Sequence, residues 1–101
     1  MSFRIIFTSD GEFHALDQVR EVMPQAVFPC FKAGLLRLAA DPVKLAQPAI
    51  FPQPDRGKMF YSYACDHEGT RYWFRPYFHY GEEEDAIIID EVQVTVFTDP
   101  Q

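Results

Sequence analysis

Thr70–Tyr80 reads TRYWFRPYFHY, a run of aromatic and β-branched residues with turn residues on both sides. That composition predicts a strand. Period-two alternation sends Arg71, Trp73, Arg75, Tyr77 and His79 to one face, and Tyr72, Phe74, Phe78 and Tyr80 to the other. The second set is apolar and belongs against a core. Pro76 removes one ladder donor, so an edge position or a bulge is expected there.

Upstream, Lys58–Cys65 (KMFYSYAC) reads as a partner strand. Asp66-His67-Glu68-Gly69 would turn between the two, with Gly69 in the left-handed position of a three-residue hairpin loop. If Asp66 pairs with Thr70, Tyr63 lies opposite Trp73, and Tyr61 opposite Arg75. Downstream, Gly81–Asp85 turns again, and Ala86–Phe97 (AIIIDEVQVTVF) forms a third strand. Ile87 and Ile89 have the opposite parity to Val92, Val94 and Val96. A bulge near Asp90-Glu91 would bring both sets to the core face. Connections of four to five residues are too short for parallel crossovers, so these strands form an antiparallel meander.

The N-terminal part has helical character. Ser2–Thr8 reads as a strand, and Asp10 can cap a helix in which Phe13, Leu16, Val19 and Met23 recur at helical spacing up to Pro24. A second helix lies within Gln25–Asp41. Phe28, Phe31, Leu35 and Leu38 share one face, and Pro29 sits in the first turn, where a missing N–H costs nothing. Residues 42–57 contain four prolines and read as a wrapped connection, with one short helical turn near Val43–Ala46. The expectation is one domain over residues 1–101, a two-layer α+β sandwich of order β-α-α-β-β-β. Its antiparallel sheet would carry two helices on one face.

The 101 residues suffice for such a domain, since about 65% of the unfolded surface would be buried. The formal charge is −6, and all of it arises in residues 58–101, which carry three basic and nine acidic residues. Generic nucleic-acid binding is disfavoured, because that affinity comes from cations displacing counterions. No apolar run of about 18 residues is present to span a membrane. The opening MSFRIIFTSD lacks the basic head and apolar stretch of a signal peptide. Cys30 and Cys65 are the only cysteines, too few for a disulfide framework and too isolated for a zinc site. Two reduced thiols in a cytoplasmic protein are therefore expected. Glu82-Glu83-Glu84-Asp85 reads as a solvated turn rather than a metal site. Phosphate loops, nucleophile elbows and His-Glu-x-x-His motifs are absent, so neither cofactor nor metal is expected. His14 and His67 read as ordinary helix-surface and turn residues.

All five tyrosines and Trp73 fall within residues 61–80. Tyr61, Tyr63, Arg71, Trp73, Arg75, Tyr77 and His79 are the candidate binding residues of an uncovered sheet face. Tyr, Trp and Arg dominate protein-binding hot spots. They could also stack bases or hold an anion. Catalytic candidates on the same face are Arg71, Arg75, Tyr77 and His79, the last as a general base.

The element order, Leu35-Leu36-Arg37-Leu38-Ala39-Ala40-Asp41-Pro42, Gly69-Thr70-Arg71-Tyr72 and the aliphatic last strand together resemble the RelE/ParE toxin superfamily of toxin–antitoxin modules. The likeness spans residues 3–97. It implies a strand, two helices and three antiparallel strands, with Arg71 or Arg75 matching a mid-sheet arginine. Ribonuclease members carry a tyrosine or histidine near the C-terminus, where this chain has Gln93, Val94, Thr95, Val96 and Phe97. The departure points to a RelE/ParE-like protein working non-catalytically through protein contacts, with an antitoxin-like partner or a second copy. An mRNA endoribonuclease or gyrase-directed toxin, and a small-ligand-binding domain with a pocket between sheet and helices, are the alternatives.

Overall fold

The structure, a computed structural model, describes residues 2–7, 15–48, 58–82 and 85–98. Among them are six strands and three helices in a mixed α+β arrangement. In order they are β1 (Arg4–Phe7), α1 (Ala15–Val22), α2 (Phe28–Ala40), α3 (Pro42–Leu45), β2 (Gln47–Pro48), β3 (Met59–Phe60), β4 (Tyr63–His67), β5 (Thr70–Tyr80) and β6 (Ala86–Thr98). A single 3₁₀ turn, Gln25–Val27, leads into α2. Phe13, His14, the cap expected at Asp10, Pro52, Pro54, Glu83, Glu84 and the tail beyond Thr98 lie outside the described residues. No described helix is long and apolar enough to cross a membrane.

Helix α2 forms as its apolar spacing requires. Phe31, Leu35 and Leu38 are buried, Phe28 is half-buried, and Pro29 occupies the first turn. Asp41 ends α2 and starts α3: its carboxylate accepts a hydrogen bond from the Lys44 backbone N–H at 3.3 Å. That satisfies one of the donors a helix start leaves open. The core is one cluster joining Val19, Met23, Val27, Phe31, Leu35 and Leu38 to Tyr63, Cys65, Tyr72, Phe74, Phe78, Ile87, Ile89 and Val92.

The sheet runs β1-β6-β5-β3-β2, and β4 also pairs with β5. β1 pairs with β6 in parallel, Arg4 opposite Ala86 through Phe7 opposite Ile89. The sheet is therefore mixed, which corrects the all-antiparallel expectation. The helices separate β1 from the other strands, so no tight turn forces it to run antiparallel to its neighbour. The remaining pairings are antiparallel.

Tyr77 faces Glu91 while Phe78 faces Ile89, so Asp90 is the extra residue of a bulge. This is the device expected from the parity change, and Ile87, Ile89 and Val92 are all buried as a result. Pro76 is fully buried in an interior strand rather than on an edge. Its carbonyl accepts from the Tyr61 N–H at 3.2 Å. A residue's N and C=O point to the same side of a strand, so the missing N–H of Pro76 faces that neighbour too. The expected single strand 58–65 accordingly breaks into β3 and β4 at Tyr61-Ser62.

Two further expectations are corrected at the β4–β5 hairpin. His67 pairs with Thr70 and Asp66 with Arg71, one residue away from the expected register. The loop has two residues, Glu68 (φ 51°) and Gly69 (φ 78°), both left-handed, as the turns that match strand twist require. The one-residue slip turns Tyr63 and Cys65 to the core face. Cys65 is then within reach of α2 and forms a disulfide with Cys30, Cα–Cα 6.1 Å. The expected pair of reduced thiols is thereby overturned.

Candidate functional site

Among the described residues, the side of the sheet facing away from the core is built from the odd-numbered positions of β5. Arg71 and Trp73 are exposed, Arg75, Tyr77 and His79 half-buried, while Tyr72, Phe74 and Phe78 are buried on the other side. This is the division the alternation predicts, except that Tyr80, expected with the core set, is 40% exposed. Cross-strand pairing arranges these side chains in rows. Arg71 lies between Asp66 and Phe97, Trp73 between Ala64 and Thr95, and Arg75 opposite Gln93. With the small neighbours Ala64 and Thr95 beside it, Trp73 is 36% exposed. A concavity of about 800 Å³ opens here, lined by Asp66, Arg71, Trp73, Arg75, Thr95 and Phe97, with Gly69 and Thr70 at the hairpin end.

The guanidiniums are held in place. Arg71 donates to both carboxylate oxygens of Asp66, at 2.8 and 3.2 Å. That hydrogen bonding holds the Asp66 carboxyl below its ordinary range. The Nε of Arg75 donates to the Ser62 hydroxyl at 3.2 Å, and its guanidinium lies 5.1 Å from the centre of the Phe60 ring. Further along, the Tyr77 hydroxyl is 3.5 Å from the Gln93 side-chain oxygen. His79 Nδ1 lies 2.8 Å from Asp90 Oδ2, so the bulge residue orients the imidazole.

Of the expected binding residues, Arg71, Trp73 and Arg75 converge on the concavity, and Tyr77 and His79 continue the same face beyond it. Tyr63 is elsewhere. It is buried, and its hydroxyl donates to the Phe31 carbonyl at 2.6 Å. Burial pushes its phenol well above the ordinary range. Tyr61 stacks on Tyr63 and packs against the core rather than facing Arg75 across the open side. The catalytic candidates are strung out. Arg71 and His79 are eight residues apart on one strand, about 26 Å, so they do not meet at one reacting bond. Among the described residues no group of three or more His, Cys, Asp or Glu could hold a metal.

Phe97 and Thr95 line the concavity although neither was an expected site residue. Their signal was present. Once the valines of β6 are assigned to the core, Gln93, Thr95 and Phe97 must face the open side. No family model, curated protein or solved structure matches the chain.

Proposed function

We propose that the chain is a non-catalytic binding module with a RelE/ParE-like two-layer architecture, which docks a protein partner on its open sheet face. The observation that carries this reading is the concavity over Trp73, walled by Phe97 and flanked by Arg71 and Arg75. An apolar floor with tethered guanidiniums at its sides is the composition of a hot spot. Asp66 and Ser62 restrain the guanidiniums before a partner arrives, which lowers the ordering cost of binding. The remaining N–H groups of Arg75 can donate to the carbonyls of an extended segment. Asp66, Glu68, Asp90 and Glu91 border this face, and the whole chain carries −6. The partner is therefore a basic segment bearing an aromatic or large aliphatic anchor, steered in by charge and seated on Trp73. The wide separation of Arg71 from His79 favours this reading over ribonuclease chemistry.

Trp73 is the only tryptophan, so its emission reports on the concavity directly. Titration with lysine-rich peptides containing one Phe or Leu should shift the emission, and added salt should weaken the effect. Phe97→Ala and Arg75→Ala should each raise the dissociation constant by about 30-fold or more, with unchanged melting temperatures. No response to any peptide would refute the docking reading. A response confined to mononucleotides or small anions would replace it with ligand binding.

A further inference from the structure

We propose that the C-terminal half of β6, Val92–Thr98, is a self-association edge at which two copies pair antiparallel about a two-fold axis and extend one sheet across both. β6 is paired with β5 along almost its whole length, but β1 covers its other side only from Ala86 to Ile89. Among the described residues, no strand pairs with Val92–Thr98 on that side. Along this stretch of about 23 Å every second residue turns its N–H and C=O away from β5, and no strand among the described residues meets them.

Edges of this kind invite strand addition, and proteins protect them with charge, proline or brevity. The other strand margins here are protected in those ways. β2 is two residues long and ends in Pro48. β4 has five residues and carries Asp66 and His67. β1 has four residues and carries Arg4. Val92–Thr98, VQVTVFT, has no charge, proline or glycine. It consists largely of β-branched residues, which favour strand pairing. α1 packs on β6 and Val92 is buried, yet Val96 remains 42% exposed on the core-side face and Phe97 55% exposed on the other.

The charge distribution selects a second copy as the occupant. Two chains of −6 repel each other, and the repulsion is least where the facing surfaces are neutral. A foreign strand drawn in by the −6 field would be basic, and an edge made to receive it would present carboxylates. This run presents none. A two-fold axis normal to the sheet keeps like faces together. Val94 and Val96 then meet their counterparts on the helix side, and Thr95 and Phe97 on the Trp73 side.

Sedimentation of the full chain up to about 1 mM should show a concentration-dependent dimer. Hydrogen exchange should show protection growing with concentration at every second amide of Val92–Thr98, those pointing away from β5. Val96→Lys puts a charge on each side of the pairing and should weaken the dimer at least tenfold, leaving the dilute chain's melting unchanged. It lies on the face away from Trp73, so the peptide titration is unaffected. Failure of one proposal is thus distinguishable from failure of the other. A chain that stays monomeric, a dimer that leaves those amides unprotected, or a dimer indifferent to Val96→Lys would each overturn self-pairing. Protection that appears only when a basic strand-forming peptide is added would assign the edge to a foreign strand instead.

Discussion

Cys30→Ser should lower the melting temperature by about 20 °C, and a reducing agent acting on the unaltered chain should lower it by the same amount. The disulfide joins the first turn of α2 to β4 across a sequence separation of 35 residues. Closing a loop of that size removes about 4 kcal/mol of conformational freedom from the unfolded chain. At about 2.1 cal/mol/K of unfolding entropy per residue, a domain of this length converts each kcal/mol into about 5 °C. β4 lies outside the main strand path and, among the described residues, pairs only with β5. Serine belongs at position 30, which is exposed, whereas Cys65 is 2% exposed and a hydroxyl there would be buried. Calorimetry on the oxidised chain, the reduced chain and Cys30→Ser provides the comparison. A common drop below about 5 °C would mean that packing fixes β4 on α2 without the covalent tie. The tie replaces the two reduced thiols that were expected, and disulfides of this kind persist in oxidising compartments.

The disulfide and the displaced Tyr63 have one origin, and it lies in the hairpin. The composition of Lys58–Tyr80 told which segments are strands and which face of β5 is apolar. The parity change across Asp90-Glu91 announced the bulge. The spacing of Phe31, Leu35 and Leu38 announced the buried side of α2. None of these signals measures register. Gly69 advertises a left-handed position, but Glu68 does not, since glutamate seldom adopts positive φ; the observed turn needs both. Choosing the longer loop shifts β4 by one residue. That shift moves Tyr63 from the core to the open face and Cys65 away from Cys30. Local pattern was equally silent on β1. A four-residue apolar strand has the same alternation whichever way its neighbour runs, so its parallel pairing with β6 had to come from the tertiary arrangement. On the open face the β5 residues were legible from alternation alone, while Phe97 and Thr95 depended on carrying the bulge through to the end of β6.

Placing Tyr63 in the core makes a prediction whose sign is unusual. Gly34 lies in the middle of α2, where replacement by alanine ordinarily stabilises a helix by about 1 kcal/mol. Here a Cβ on Gly34 would overlap the Tyr63 ring. The ring cannot step aside. It is stacked near Phe31 at 6.5 Å and tilted against Phe74 at 5.5 Å, with the Arg37 guanidinium 5.6 Å from its centre. Its hydroxyl is anchored to the Phe31 carbonyl. Overpacking of this kind costs about 1–3 kcal/mol, enough to reverse the propensity gain. Gly34→Ala should therefore destabilise. Tyr63→Ala should cost more, about 3–5 kcal/mol, as for other large aromatic truncations in a core. Tyr63→Phe, losing only the hydrogen bond, should cost about 1 kcal/mol. In the Tyr63→Ala background the clash is gone and a cavity has taken its place, so Gly34→Ala should become neutral or stabilising. Urea unfolding of the four chains of this cycle measures the coupling, expected at about 2 kcal/mol. If Gly34→Ala destabilises both backgrounds equally, then Tyr63 does not occupy the space beside α2. The register that seats it there, and that brings Cys65 to Cys30, would have to be abandoned.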